Sequence, residues 1–345
     1  MIFQYKYLLK ITKEIFKACG TPEPEAGIVA DVLVSSNLMG LDSHGVIRIP
    51  QYVRMVQKGD IIPDSPLSIL KETPNTAIVD GGWNFGPVSG IRGMEVAIEK
   101  AKANSIGCVT VRNCNHAGRL GAYPQLAAEE NLIGMAVCSS FGGGHYVCPW
   151  GGREGRLATN PIAFAVPTEG NPILIDVSTS VVSEGKIRVM RDGGKELPEG
   201  WVLDANGKPS TNPKDFYGPP MGVILPLGGK QGYKGYAFSM IVEILGTVLL
   251  NEGYEHDEVQ ARGNGLWLMA LDITAFISHE QFKSRINEMV TYLKSSKTAH
   301  GFDEVTIPGE IDFRLMARRK EEGVPMEDET WRQIEEVANE LGVRP

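Results

Sequence analysis

A strand, a helix and a second strand follow one another as TAIVDGG (76–82), MEVAIEKAKAN (94–104) and GCVTVRN (107–113). Apolar residues dominate the two outer segments and recur with helical spacing in the central one. This succession is typical of a sheet that is covered by helices. We therefore begin from a fold that contains both a sheet and helices.

The pattern continues towards the carboxyl end with more strands and fewer helices. Strands are predicted at 133–140, 162–168, 173–179, 185–190 and 266–273, and helices at 124–131 and 278–294. Residues 192–232 are rich in turn formers, which is typical of a functional loop. The apolar segment 236–250 predicts a buried helix.

Both ends of the chain carry helical patterns instead. In the N-terminal region a helix is predicted to begin near Ile47, because Pro50 is tolerated only in a first turn. In the tail, an apolar stripe on one helical face predicts core packing or a partner surface; it consists of Trp331, Ile334, Val337, Ala338 and Leu341. We predict an α+β protein with a helical domain, residues 1–72 with 308–345, and a mixed-sheet domain, residues 73–307.

Composition excludes several classes of protein. With 42% apolar and 22% charged residues the chain has the balance of a globular protein. A net charge of −8 without a basic stripe argues against binding to nucleic acid or to an anionic membrane. The N-terminus lacks the pattern of a signal peptide. Five cysteines without a C-x-x-C pair argue against disulfides and structural zinc, so we expect a cytoplasmic protein. The six histidines are too dispersed to predict a metal site.

The common nucleotide-binding and hydrolase motifs do not occur. No G-x-G-x-x-G run opens a helix after a strand, so a Rossmann unit is not supported. The P-loop, the G-x-S-x-G elbow and H-E-x-x-H are missing as well. Any nucleotide site must therefore use another fold.

Two histidines lie where chemistry is plausible. His44 belongs to DSHGVIR (42–48). In the same stretch Arg48 has a planar guanidinium group that suits a carboxylate, and it lies four residues before Tyr52 on the same helix face. His116 follows a strand, where a loop at the sheet edge would hold it. A histidine titrating near neutrality is a natural proton donor or acceptor. The alternative for the His44 stretch is a helix–loop junction with a capping Ser43 and a solvated Arg48, and for His116 it is a loop histidine bonded to the backbone.

Two further residues have the pattern of a binding site. Asp176 ends an apolar strand, where a carboxylate needs a partner. Lys234 lies between glycines before the apolar helix, which suits an anion site or a solvated turn. The other histidines are expected in loops or on helix surfaces, namely His145, His256, His279 and His300.

Taken together, these motifs resemble the type-2 malate/L-lactate dehydrogenase family. The resemblance begins with LDSHG (41–45) and RIPQY (48–52) and covers most of the chain. It continues through NH (115–116), PWGG (149–152), TNPIAF (159–164), DVSTS (176–180), GKI (185–187), LPEGW (197–201), KGY (234–236) and IPGE (307–310). The stretches 141–148 and 228–233 are longer than the usual family spacing and lie near the expected pocket, so the preferred substrate need not be malate or lactate.

The resemblance implies a homodimeric NAD(P)-dependent oxidoreductase with a non-Rossmann nucleotide-binding fold. His44 or His116 would be the acid/base, with Asp176 orienting the His44 ring. Substrate binding would fall to Ser43, Arg48 and Tyr52, while Arg119 is either a second anion contact or a surface charge. Contacts to NAD, or to NADP, are implied for Ser140, Thr159, Asn160, Pro161, Asp176, Val177, Ser178, Lys234, Gly235, Pro308, Gly309 and Glu310.

The expected reaction moves hydride between nicotinamide and a small 2-oxo or 2-hydroxy acid of the malate, lactate or hydroxypyruvate type. No metal is expected. Two alternatives stay open at this point: reduction of a cyclic imine carboxylate such as piperideine-2-carboxylate or pyrroline-2-carboxylate, and a nucleotide-binding homologue without catalysis.

Overall fold

The computed structural model describes residues 1–141, 143–251 and 263–345, so His256 lies outside the described residues. The helices are α1 (Tyr5–Ala18), α2 (Glu23–Leu38), α3 (Ile49–Lys58), α4 (Gly86–Asn104), α5 (Ala122–Glu129), α6 (Glu184–Asp192), α7 (Pro213–Tyr217), α8 (Tyr233–Gly246), α9 (His279–Lys294), α10 (Glu310–Glu322) and α11 (Asp328–Glu340). The strands are β1 (Ile2–Phe3), β2 (Ser68–Glu72), β3 (Thr76–Asp80), β4 (Ile106–Cys114), β5 (Leu132–Phe141), β6 (Ile162–Val166), β7 (Ile173–Val177), β8 (Val202–Leu203), β9 (Pro209–Ser210), β10 (Val223–Ile224), β11 (Gly263–Asp272) and β12 (Val324–Pro325).

The main sheet of the described residues is mixed. Its strand order is β2-β3-β4-β11-β5-β6-β7. Strand β3 pairs with β2 antiparallel and with β4 parallel. The parallel pair is the one joined by α4, as a strand–helix–strand crossover requires. The predicted α+β class with a mixed sheet is confirmed.

The described chain divides into two compact units. One comprises Met1–Ala136, Phe164–Ile175 and Leu268–Pro345, and the other Val137–Ala163 and Asp176–Trp267. The predicted helical domain of residues 1–72 with 308–345, and the sheet domain of residues 73–307, stay a prediction.

In the first unit, helices from both chain ends share one apolar core. The tail stripe lies inside it, with Trp331, Ile334, Val337 and Ala338 all buried. The Trp331 ring lies 4.2 Å from that of Phe3. Core packing is therefore the correct interpretation of the stripe, and the alternative of a partner surface is wrong.

Helix α3 begins as the sequence predicts. Pro50 lies in its first turn, where a missing backbone N–H costs no hydrogen bond, and Gly59 ends the helix at a φ of 79°. Two short 3₁₀ turns, Asp42–His44 and Val46–Arg48, precede it. Arg48 and Tyr52 are thereby fixed at the start of a regular helix.

The predicted strand at 185–190 is wrong, because these residues lie in helix α6. Ser183 is extended at its N-cap and Glu184 lies in its first turn. Only Ile187 is buried, while Val189 is 66% exposed. A helix that buries one face satisfies this pattern, whereas a strand would have to bury alternate residues.

Helix α8 corrects a second prediction, since it is largely exposed rather than buried. Its buried positions include Ser239, Val242 and Glu243, whereas the exposed apolar side chains of this segment are Tyr233, Phe238, Met240, Ile241, Ile244, Val248 and Leu249. By length and composition alone residues 233–250 could cross a membrane, a test that core helices of soluble proteins also pass. An apolar face of this extent needs a cover.

The turn-rich stretch 192–232 is organised rather than open. It carries a small antiparallel sheet with the order β10-β8-β9. Val202 and Ile224 of this sheet are buried in one apolar cluster with Phe216 of α7 and Ile187 of α6.

Candidate active site

The turn that bears His44 is held from two sides. The Asn37 side chain accepts a hydrogen bond from the Val46 backbone N–H (2.8 Å) and donates to Asp42 (2.7 Å). Arg319 of α10 makes an ion pair with Asp42 at 2.9 Å. A Cβ at position 45 would collide with the Asn37 amide, so glycine is required beside His44.

His116 is fixed by the loop that follows β4. The buried Asn115 amide donates to the carbonyl oxygens of Trp83 (2.7 Å) and Asp60 (3.0 Å). A Cβ at Gly86, the first residue of α4, would collide with the His116 carbonyl. Because this glycine allows α4 to approach so closely, the loop has little room to move.

The two imidazole rings lie together although they are distant in sequence. His44 and His116 are stacked, with ring centroids 5.8 Å apart and an interplanar angle of 15°. The Nδ1 atom of His44 lies 3.0 Å from Ser43 Oγ, and that of His116 lies 2.7 Å from the Tyr52 hydroxyl. Within the described ranges neither Nε2 atom has a hydrogen-bond partner, so both are available to a substrate.

Burial and nearby cations keep both histidines neutral. Burial, followed by the charges of Arg48 and Arg119, lowers the pKa of His44 from 6.5 to about 4. The pKa of His116 is lowered well below 6.5 by burial, then by Arg48 and His44. The Arg48 guanidinium is therefore near both rings, and an anion bound to it would lie beside them.

Arg48 is oriented by its own turn. Its Nε donates to the Ser43 carbonyl and its Nη1 to the Gln51 side chain, each at 2.8 Å. Arg119 is buried, so the alternative of a surface charge is wrong for it. It lies near Asp312: burial raises the pKa of that carboxyl group, and the Arg119 charge offsets only part of the rise.

Most residues implied for the cofactor belong to the second unit, Val137–Ala163 and Asp176–Trp267, whereas the two histidines and Arg48 belong to the first. Asp176 and Val177 end β7, with Asp176 half-buried and Val177 50% exposed. Ser178 donates to the Ser180 carbonyl, and Ser140 to the Gly143 carbonyl, which follows Gly142, outside the described residues. The orienting role implied for Asp176 stays a prediction.

The segment TNP (159–161) and helix α8 share a buried polar network. Asn160 donates to Glu243 (2.7 Å) and to the Ser239 hydroxyl (2.9 Å). The Thr159 carbonyl accepts from the Thr179 backbone N–H, and that of Pro161 from Cys138. These residues fix the start of β6 against α8.

The start of α8 has the character of an anion site. Its first turn carries Lys234 with an exposed side chain, and Lys230 lies exposed just before it. A Cβ at Gly235 would collide with the Leu227 backbone, so the chain can make this approach only with glycine. Helix N-termini with cationic side chains bind phosphates. This donor set fits the diphosphate of a dinucleotide.

The segment PGE (308–310) lies in the first unit at the start of α10. Gly309 has a φ of 92°, and a Cβ there would come within 2.9 Å of the Leu174 side chain. The Glu310 carboxylate accepts from the Ile307 backbone N–H and pairs with Lys294. In the described part of the chain no group of three or more histidine, cysteine or carboxylate side chains could hold a metal.

Comparison with known proteins now decides the family. The model of the malate/L-lactate dehydrogenase family matches residues 3–335. The chain belongs to this family. A malate dehydrogenase from Pyrococcus abyssi is 38% identical, covering 98% of this chain and 94% of that protein. An L-sulfolactate dehydrogenase from Methanocaldococcus jannaschii is 35% identical, covering 99% and 98%.

Solved structures of the malate/L-lactate dehydrogenase type agree with this assignment. Malate dehydrogenase from Pyrococcus horikoshii superposes with a TM-score of 0.91 at 34% identity, covering 100% of this chain and 96% of that chain. Δ1-piperideine-2-carboxylate reductase from Pseudomonas syringae superposes with a TM-score of 0.84 at 26% identity, covering 98% and 100%. The chain is therefore an oxidoreductase of the hydroxy acid dehydrogenase type, and its family implies a nicotinamide cofactor.

Proposed function

We propose that this family member interconverts a small 2-oxo acid and its 2-hydroxy acid, of the malate, lactate or hydroxypyruvate type, with NAD in preference to NADP. The observation that carries the proposal is the pair of stacked imidazoles with Arg48 close to both. A guanidinium suits the carboxylate of such a substrate, and an imidazole suits its hydroxyl or carbonyl oxygen.

In this proposal His116 is the acid/base. A nicotinamide cofactor would supply the hydride acceptor for the oxidation and the hydride donor for the reduction. His116 Nε2 takes the hydroxyl proton as the carbonyl forms, and returns it in the reverse direction. We favour His116 over His44 because its Nδ1 atom is held by a buried phenol, whereas His44 is held by the hydroxyl of its own neighbour Ser43.

Substrate binding itself would prepare His116 for protonation. Burial and the Arg48 charge lower the pKa of this imidazole. A substrate carboxylate on Arg48 offsets that charge, and the imidazole pKa rises. The imidazolium that protonates the 2-oxo group is thus favoured when the substrate is present.

The remaining implied residues enter the proposal as the cofactor site. The lysine-bearing start of α8 would hold the diphosphate, with Ser140, the TNP segment, residues 176–178 and residues 308–310 as further contacts.

A substrate panel with NADH and with NADPH tests the reaction. We expect oxidation of NADH by at least one small 2-oxo acid, a lower rate with NADPH, and a fall of roughly 100-fold or more in kcat for His116→Gln. His44→Gln should lose less. Full turnover in His116→Gln would refute the assignment of the acid/base, and no NADH oxidation with any member of the panel would favour the non-catalytic alternative.

Reduction of a cyclic imine carboxylate is a second candidate function. It needs the same carboxylate contact at Arg48 and the same hydride, and a piperideine-2-carboxylate reductase is among the similar structures. Activity on piperideine-2-carboxylate above that on every 2-oxo acid would select it.

We also propose that the enzyme is a cytoplasmic homodimer that covers the exposed face of α8 with a second copy. The residues Phe238, Ile241 and Ile244 are each more than two-fifths exposed although apolar. Ile241→Asp should give a monomer in light scattering, whereas Ile62→Asp, at another exposed isoleucine, should leave the dimer intact. A monomeric wild-type chain would exclude the dimer, and cell fractionation tests the location.

A further inference from the structure

Among the described residues, the Tyr52 hydroxyl has two hydrogen-bond contacts, and both are with His116. It lies 2.7 Å from His116 Nδ1 and 3.3 Å from the His116 carbonyl oxygen. The Tyr52 ring is buried between Phe16 and Phe85, with centroid distances of 6.5 and 6.1 Å. Helix α3 and two aromatic neighbours therefore fix this hydroxyl.

The count of protons limits what the hydroxyl can do. Burial raises the pKa of Tyr52 above its ordinary range, so the phenol keeps its single proton. If that proton is donated to the carbonyl oxygen, the phenol oxygen is left to accept the Nδ1–H of the imidazole. If it is donated to Nδ1 instead, the carbonyl contact is lost and the neutral ring carries its proton on Nε2.

We propose that Tyr52 is a positioning residue that holds His116 in the Nδ1–H tautomer, so that Nε2 presents a lone pair to the substrate. Both contacts of the hydroxyl are used in this arrangement. The inference rests on the proposed acid/base role of His116, and it gives Tyr52 a role other than direct substrate contact.

The arrangement suits both directions of the reaction. During oxidation the hydroxyl proton of the substrate passes to Nε2, and the hydride released from the C2–H bond would go to a nicotinamide cofactor. His116 then carries protons on both nitrogens, and its Nδ1–H still donates to Tyr52. During reduction Nε2 returns its proton, and the starting tautomer is recovered without any rearrangement. A phenol that donated to Nδ1 would have to break that bond at each protonation.

The direct test is the tautomer of His116, observed by long-range ¹⁵N NMR of the full chain labelled at histidine, with His116→Gln for assignment. We expect the Nδ1–H form in the wild type near neutral pH, and a shift towards Nε2–H in Tyr52→Phe. Tyr123→Phe is the matched control: Tyr123 is also fully buried, and its hydroxyl donates to the Ala117 carbonyl, not to the imidazole. An Nε2–H wild type, or the same tautomer in Tyr52→Phe, would overturn the inference.

Kinetics provide a second readout that a merely structural role would not change. In Tyr52→Phe we expect kcat to fall roughly 10- to 100-fold, the loss of one hydrogen bond to a charged partner, with KM nearly unchanged. In the direction of 2-hydroxy acid oxidation, where His116 must be neutral, the acidic limb of the kcat profile should move to lower pH, because the imidazolium loses a hydrogen-bond acceptor and its pKa falls. An unshifted limb would count against the inference. If His116→Gln retains turnover while the tautomer behaves as expected, the acid/base role fails and the assignment of Tyr52 to the tautomer stands.

Discussion

Replacing Arg48 by lysine tests the proposed carboxylate site most directly. The guanidinium is held by hydrogen bonds from Nε to the Ser43 carbonyl and from Nη1 to Gln51, each 2.8 Å long. Lysine has neither the Nε–H nor the planar fork, so it loses this anchor together with two-point contact to a carboxylate. A hydrogen bond to a charged group contributes about 1.5–3 kcal/mol. We therefore expect KM for the 2-oxo acid to rise roughly 10- to 100-fold, since 1.4 kcal/mol corresponds to a factor of ten.

The assay is the initial rate of NADH oxidation across a range of 2-oxo acid concentrations at saturating NADH. Arg54→Lys is the matched control, because Arg54 lies exposed on the same helix. The control should leave KM unchanged, and kcat should fall less than kcat/KM in Arg48→Lys because the proton donor is retained. A KM for Arg48→Lys equal to that of the control would remove Arg48 from the substrate site.

Three further outcomes are expected. The pKa of His44 is about 4 in the folded protein and 6.5 in the unfolded chain. This residue's contribution to stability is therefore complete above pH 6.5 and is lost as the pH falls towards 4, by up to about 3 kcal/mol. Denaturant unfolding at several pH values should show this loss as a slope of the unfolding free energy against pH, which His44→Gln reduces; identical slopes in the two proteins would contradict it. In 2-hydroxy acid oxidation, where His116 must be neutral, the acidic limb of kcat should lie at higher pH than that of kcat/KM, because the bound carboxylate offsets the Arg48 charge; coinciding limbs would exclude this effect. Trp331→Ala should lower the free energy of unfolding by about 3–5 kcal/mol in thermal or denaturant melts without changing the oligomeric state, and a change of oligomeric state would return the tail stripe to a partner surface.

The sequence predicts the sheet well, because its strands are apolar runs bounded by turn formers. It fails where a helix and a strand share a short pattern: residues 185–190 alternate apolar and charged side chains, yet only Ile187 finds a core. Helix α10 was not predicted, since its charged residues pair across its surface instead of marking an apolar face. For α8, composition predicts burial, but burial depends on neighbours that the sequence does not reveal.

The candidate site is only partly visible in the sequence. Helical spacing correctly places Arg48 and Tyr52 at the start of one helix, four residues apart. That His116 stacks on His44, and that Tyr52 bonds to His116, depends on how α3 packs beside the loop after β4. No local pattern encodes contacts between residues so far apart. The buried state of Arg119 was equally hidden, because a single arginine in a loop is most often solvated.

The pairing of Arg319 with Asp42 has a consequence for biosynthesis. These residues are separated by 277 positions, and Arg319 also donates to the Asn37 carbonyl, so it braces the turn before His44 from helix α10. During synthesis this brace cannot form until α10 has been translated. The turn that bears His44 therefore gains this support later than its own residues are made.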